Sequence, residues 1–135
     1  MTAQRFDPDD PREWINRARS NLARARNVIP EAYLEDLCFD AQQAAEKAIK
    51  AVLIHRGVPF PYIHDLARLL ALLEQDGEPI PDEIQEADQL TRYAVAARYP
   101  SFVEPVSEDQ YRAALACAEA VVQWAEDRIR SATDG

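Results

Sequence analysis

Apolar residues recur along most of this chain at intervals of three and four, the spacing that gathers side chains on one face of an α-helix. From Pro11 onward, Trp14, Ile15, Ala18, Leu22, Ala25 and Ile29 share one arc; Asp10 caps the helix, Pro11 suits its first position and Pro30 ends it. A second helix is predicted from about Leu34 to His55, with Gly57 as its stop and Leu37, Ala41, Ala45, Ala48 and Val52 as its main stripe. The loop "GVPFPYIHD" is stiffened by Pro59 and Pro61. A third helix turns Leu66, Leu69, Leu70 and Leu73 inward and stops at Gly77. A fourth carries Ile84, Ala87, Leu90 and Ala94 and ends at Pro100. Ser107 with Gln110 signs a capping box, and the fifth helix then packs Tyr111, Leu115, Ala118, Val122, Ala125 and Ile129. No segment sustains a two-residue alternation. The predicted fold class is therefore all-α: an antiparallel up-and-down bundle of about five helices. It is read as one domain over residues 1–135, with a core from about 11 to 130 and loose ends before Asp10 and after about Arg130.

The second helix, "CFDAQQAAEKAIKAVLIHRG", asks for more than one apolar face. Its alanines let a neighbouring helix approach closely. Gln42, Gln43, Glu46, Lys47 and Lys50 are expected on the remaining surface, where Phe39, Leu53 and Ile54 lie outside the stripe or at its edge. A helix apolar beyond one face is either central in a bundle or covered by a second chain. Phe39, Leu53 and Ile54 are accordingly the candidates for a dimer interface.

Charge narrows the possible partners. The chain holds 24 acidic against 15 basic residues, a net charge of −9, which disfavours coating a long nucleic acid or an anionic membrane. The basic residues are nonetheless ordered: Arg12, Arg19 and Arg26 flank one side of the first helix's apolar arc, Arg17 and Arg24 the other. They read either as arginines snorkelling at the rim of a packed helix or as a ridge that contacts a polyanion. No apolar run is long enough for a membrane helix, and "MTAQRFDPDDPREW" resembles neither a secretory signal nor a transit peptide, so the expected location is the cytoplasm. Cys38 and Cys117 are then expected as free thiols.

Little chemistry is spelled out. His55 and His64 have no companion pattern that would make a metal site, the 3 glycines form no phosphate loop, and no nucleophile–base set is spaced for catalysis. Neither metal nor cofactor is expected. The polar cluster that stands out is "TRYAVAARYP", where Arg92 and Arg98 each precede a tyrosine, Tyr93 and Tyr99. A guanidinium can grip phosphate and a tyrosine ring can stack on a base. Alternatively, the arginines pair with carboxylates and the tyrosines pack at the bundle's rim.

Together, "AQQAAEKAIKA" over Ala41–Ala51, His64-Asp65-Leu66 and Arg98-Tyr99-Pro100 resemble the HEPN superfamily, the higher-eukaryote and prokaryote nucleotide-binding domain, across about Trp14 to Arg130. That resemblance implies a five-helix bundle, commonly a homodimer, often encoded beside a minimal nucleotidyltransferase partner protein. It also implies a metal-independent ribonuclease wherever an arginine is followed, after four to six residues, by a histidine. Counting from Arg92, that window holds Ala97, Arg98 and Tyr99, and an arginine keeps its proton at neutral pH. The expected function is thus a non-catalytic module binding a nucleotide or other phosphate-bearing ligand through Lys47, Arg92, Tyr93, Arg98 and Tyr99, supported by Gln43 and His64. A divergent ribonuclease toxin using His64 with Arg92 or Arg98, and a homodimeric adaptor, are the alternatives.

Overall fold

Alanine decides the layout. Ala41, Ala44, Ala45, Ala48 and Ala51 run along one helix with no exposed surface, so other helices lie close against it from several directions. The computed structural model describes residues 4–98 and 105–134, without the side chains of residues 96–98 and 131–134. Its elements are α1 (Pro11–Arg26), α2 (Leu34–His55), α3 (Leu66–Gln75), α4 (Asp82–Gln85), a 3₁₀ segment (Glu86–Leu90), α5 (Thr91–Arg98) and α6 (Glu108–Asp134). No strand occurs among the described residues. α2 is central, touching α1, α3, α5, the 3₁₀ segment and α6, while α1 and α6 close on each other beside it. The chain folds as the all-α bundle its periodicity predicts.

Several of the predicted ends are made by the predicted residues. Asp10 accepts the Arg12 backbone N–H at 2.9 Å, and Ser107 and Gln110 exchange side-chain and backbone hydrogen bonds at 2.9 and 3.1 Å. Gly57, at φ 71°, closes α2: its own N–H donates to Ile54 O at 3.0 Å, and that of Val58 reaches Leu53 O at 2.9 Å. The predicted fourth helix is one run in three pieces, α4, the 3₁₀ segment and α5. Its buried residues Ile84, Ala87 and Leu90 are spaced by threes, which the 3₁₀ winding lines up, and Tyr93 and Ala94 continue the buried face in the α-helical turn that follows.

Several expectations need correction. α1 stops at Arg26, before Pro30, so Ile29 leaves the apolar arc and is exposed together with Val28. Gln42, Glu46 and Lys50 are not on α2's surface but buried, because the proline-stiffened loop after Gly57 folds back over them and packs Phe60 edge-on against Trp14. Leu53 is fully enclosed by the chain's own core, so it drops out as a contact for a second chain; Phe39 and Ile54 are half-buried. Among the described residues before Asp10, Gln4 to Pro8 are held rather than loose. Asn16 Nδ2 donates to Gln4 O at 2.7 Å, Phe6 N–H to Glu13 Oε1 at 3.0 Å, and Trp14 Nε1 to Pro8 O at 2.7 Å. Residues 4–8 thus form a strap along α1. At the other terminus α6 runs on to Asp134. The expected break at Pro100 lies outside the described residues.

Replacing Ala45 or Ala48 by leucine places a larger side chain where there is no free surface. Each substitution should destabilise the fold by about 1–3 kcal/mol, read as a lowered midpoint in chemical denaturation.

Candidate anion-binding site

Between α1 and α2 lies a cleft of about 510 Å³ into which Arg5, Arg17, Arg19, Arg24 and Lys47 project. The turns of α1 distribute these cations. Arg17 and Arg24 stand two turns apart on one stripe, with Asn21 between them. Asn21 Oδ1 accepts from Lys47 Nζ at 2.7 Å, drawing the lysine of α2 into the same row. Asn21 Nδ2 donates to Asp40 Oδ1 at 3.0 Å, and Asp40 Oδ2 stands 3.6 Å from Arg24. One turn before Arg17, Glu13 accepts Arg17 Nε at 3.0 Å and lies 3.6 Å from Arg5. The Phe6 backbone N–H, aided by these arginines, holds the Glu13 carboxyl below its ordinary range. Burial pushes the Lys47 ammonium below its usual value, against the pull of Glu46 and Asp40. The cleft therefore holds one partly desolvated cation among solvated ones.

The other arginine stripe is occupied. Arg12 pairs with Asp10 at 2.7 Å, Arg19 with Glu126 at 2.8 Å and Arg26 with Glu119 at 3.0 Å, the last two stitching α1 to α6. Of the two stripes read from the sequence, Arg17/Arg24 thus faces the cleft, while Arg12, Arg19 and Arg26 are paired with carboxylates, Arg19 also lining the cleft.

A second polar group sits behind the cleft on α2. Glu46 accepts from Gln42 Nε2 at 2.9 Å and from Lys50 Nζ at 2.9 Å, and His64 Nδ1 lies 2.9 and 3.1 Å from its two oxygens. A carboxylate only accepts, so Nδ1 carries the proton in this contact. Gln43 adds to the group by donating to Gln42 Oε1 at 2.7 Å. Lys50 is also 5.7 Å from the centre of the Phe60 ring and 5.5 Å from that of Tyr62.

The profile of the HEPN domain matches residues 11–128. The chain belongs to the HEPN domain family. It is similar to the crystal structure of TT1696 from Thermus thermophilus, at 30% identity over 87% of this chain and 97% of that one, with a TM-score of 0.76. It is also similar to ST0689, an archaeal HEPN homologue, at 28% identity over 89% of this chain and 98% of the other, with a TM-score of 0.73. No curated protein sequence matches it.

This HEPN chain divides the predicted ligand residues between places. Lys47 lines the α1–α2 cleft, while His64 and Gln43 belong to the Glu46 group. Arg92 and Tyr93 line a different cleft, of about 230 Å³, beside the 3₁₀ segment and α6. There Arg92 is exposed, lies 5.7 Å from the Tyr93 ring centre and donates Nε to Gln89 O at 3.1 Å. Tyr93 is buried, as is Cys38, whose thiol burial pushes up to about 11. Arg98 ends α5 with its side chain outside the described residues, as is all of Tyr99. Sequence reasoning missed Asn21, Asp40 and Arg5 as partners in the cleft. The signal for the first two was available: a polar Asn21 beside Ala18, Leu22 and Ala25 asks for polar company on the facing helix, which Asp40 and Lys47 supply seven residues apart.

Glu46 and Lys50 are both almost wholly enclosed. Glu46→Ala strands the Lys50 ammonium without its carboxylate and should cost about 3–5 kcal/mol of stability. Urea denaturation of the two proteins checks this, and Glu46→Gln, which keeps an acceptor, should lose less.

Proposed function

We propose that this protein is a non-catalytic HEPN module that binds a small phosphate-bearing ligand, a nucleotide foremost, in the α1–α2 cleft, and acts with a nucleotidyltransferase-type partner protein. The observation that carries this reading is the row of Arg17, Lys47 and Arg24 along a cleft of about 510 Å³, a small-molecule size, in a chain of net charge −9. Guanidinium groups meet phosphate oxygens through paired N–H donors, and a desolvated ammonium gains more from an anion than a solvated one does. The acidic remainder of the surface repels a long polynucleotide but not a compact ligand. The partner protein follows from the family's frequent pairing with nucleotidyltransferases. Two half-buried residues of α2, Phe39 and Ile54, are the proposed contact with a second copy of the chain. Light scattering should then report a particle of twice 15.3 kDa, and a 15.3 kDa particle at all concentrations rejects the dimer.

One observation favours the ribonuclease alternative: Glu46 orients the His64 ring, whose side chain is 35% exposed, as a carboxylate orients an acid–base imidazole. RNA cleavage by the purified protein that is lost in His64→Ala would establish it.

Isothermal titration with phosphate and a panel of nucleotides tests the leading reading. Lys47→Ala and Arg17→Ala should each weaken binding by about tenfold or more, while Arg92→Ala should leave it unchanged. Heat on titration that is equal in all variants, or absent from the wild type, rejects the cleft. pH supplies a further check. Bound phosphate favours the charged lysine, whereas the free ammonium, facing Arg17, Arg24, Asp40 and Glu46 in a half-buried place, loses its proton below the ordinary 10.5. Affinity should therefore start to fall with rising pH on the acid side of 10.5. Lys47→Arg should remove that fall.

A further inference from the structure

The chain's cations are unevenly divided by type. Of its 15 basic residues only Lys47 and Lys50 are lysines, and all the others are arginines. An arginine keeps its proton and is no nucleophile, whereas a lysine that sheds its proton is one. Both lysines lie on α2, three residues apart, and the fold treats them oppositely. Lys50 is sealed: its side chain is 5% exposed, and its Nζ donates to the Glu46 carboxylate at 2.9 Å. Lys47 is half-buried and lines the cleft, where its Nζ donates to a neutral acceptor, Asn21 Oδ1, at 2.7 Å. It is thus the one lysine amine of the chain that a solute can reach. Burial, with the positive charges of Arg17 and Arg24, draws its proton off below the ordinary range, and Glu46 and Asp40 oppose them only in part. The thiols compete poorly, since burial pushes both Cys38 and Cys117 up to about 11.

Resting on the cleft reading above, we propose that Lys47 is an acylation site, modified by small acyl phosphates that the cleft's arginines hold beside it, and that acylation closes the cleft to phosphate-bearing ligands. An acyl phosphate joins in one molecule the anion that a guanidinium recognises and the electrophilic carbonyl that an amine attacks. Both groups are at hand here. Arg17 stands four residues before Asn21 and Arg24 three after it on the same stripe of α1, and Asn21 is the residue that holds the Lys47 amine. In the step, the lone pair of the neutral amine attacks the carbonyl carbon, the C–N bond forms, and the C–O bond to phosphate breaks. Phosphate leaves with the bonding electrons, and the proton shed by nitrogen passes to it or to water. No other reactant is required. The product amide retains one N–H for Asn21 but carries no charge, so the cleft loses its partly desolvated cation.

Incubation of the full chain with acetyl phosphate, followed by peptide mass spectrometry of both lysines, tests this. Lys47 should be acetylated at least about tenfold faster than Lys50. The same measurement with p-nitrophenyl acetate, an acyl donor without phosphate, gives a ratio of rates in which the amine's own reactivity cancels. Arg17→Ala and Arg24→Ala should each lower that ratio at Lys47 by about fivefold. The two arginine side chains are 57% and 71% exposed, so circular dichroism of both variants should match the wild type. Protein acetylated at Lys47 should bind inorganic phosphate about tenfold more weakly than unmodified protein in calorimetric titration. Equal modification of the two lysines, or a rate ratio unchanged in both variants, overturns the acylation site, while phosphate binding by the unmodified protein reports on the cleft reading separately. Acetylated protein that binds phosphate as the unmodified protein does overturns the closing of the cleft. Absence of phosphate binding together with no preference for Lys47 removes both readings.

Discussion

Glu46 is a carboxylate placed near the middle of the helix on which α1, α3, α5 and α6 all pack, with almost no access to water. An ionised group in that position is tolerable only with a full set of donors around it. Gln42 and Lys50 supply two of them from the turns before and after, as the four-residue spacing of one helix permits. The third must come from elsewhere in the chain. It comes from His64, at the far end of the loop stiffened by Pro59 and Pro61. The demand of one buried charge therefore fixes where that loop runs, and the loop in turn seats Phe60 against Trp14 and leads straight into the Asp65 cap of α3.

The same helix separates two uses of charge. On the side toward the loop, charges are paired inward and sealed. On the side toward α1, Lys47 meets Asn21 and the cleft, half-buried and partnered by a neutral amide. The α1–α6 seam shows a third regime, in which Arg19–Glu126 and Arg26–Glu119 face water and contribute little each. Arginines on opposite flanks of α1 thus differ in surroundings because α6 presents Glu119 and Glu126 to one flank, while α2 presents Asp40 together with Lys47 to the other.

The helices, their caps and most of the core were legible in the sequence because they rest on local rules. Asp10, Ser107 with Gln110, and Gly57 act within a turn of themselves, and the leucines of α3 repeat at helical spacing. The family was legible as well, through a motif lying in α2. What could not be read was set by distant segments. Gln42, Glu46 and Lys50 look like a solvated face until the loop that ends at His64, 18 residues beyond Glu46, covers them. Leu53 looks like spare apolar surface until the same fold encloses it. The pairing of Arg92 with Lys47 in one ligand site failed for a related reason: periodicity places residues on faces of their own helix but carries no information on which cleft that face lines.

Enclosure of α2 has a consequence for how such a chain can diversify. A helix whose alanines have no free surface and whose polar residues are mutually committed tolerates few substitutions, so drift there is purged. The outer turns of α1 and the strap before it carry exposed side chains held by backbone atoms, and these can be exchanged without disturbing what lies beneath. Two homologues could then keep superimposable bundles and yet prefer unlike ligands, with the differences concentrated in α1's outer turns and the strap. Scaffold and recognition would evolve on separate clocks.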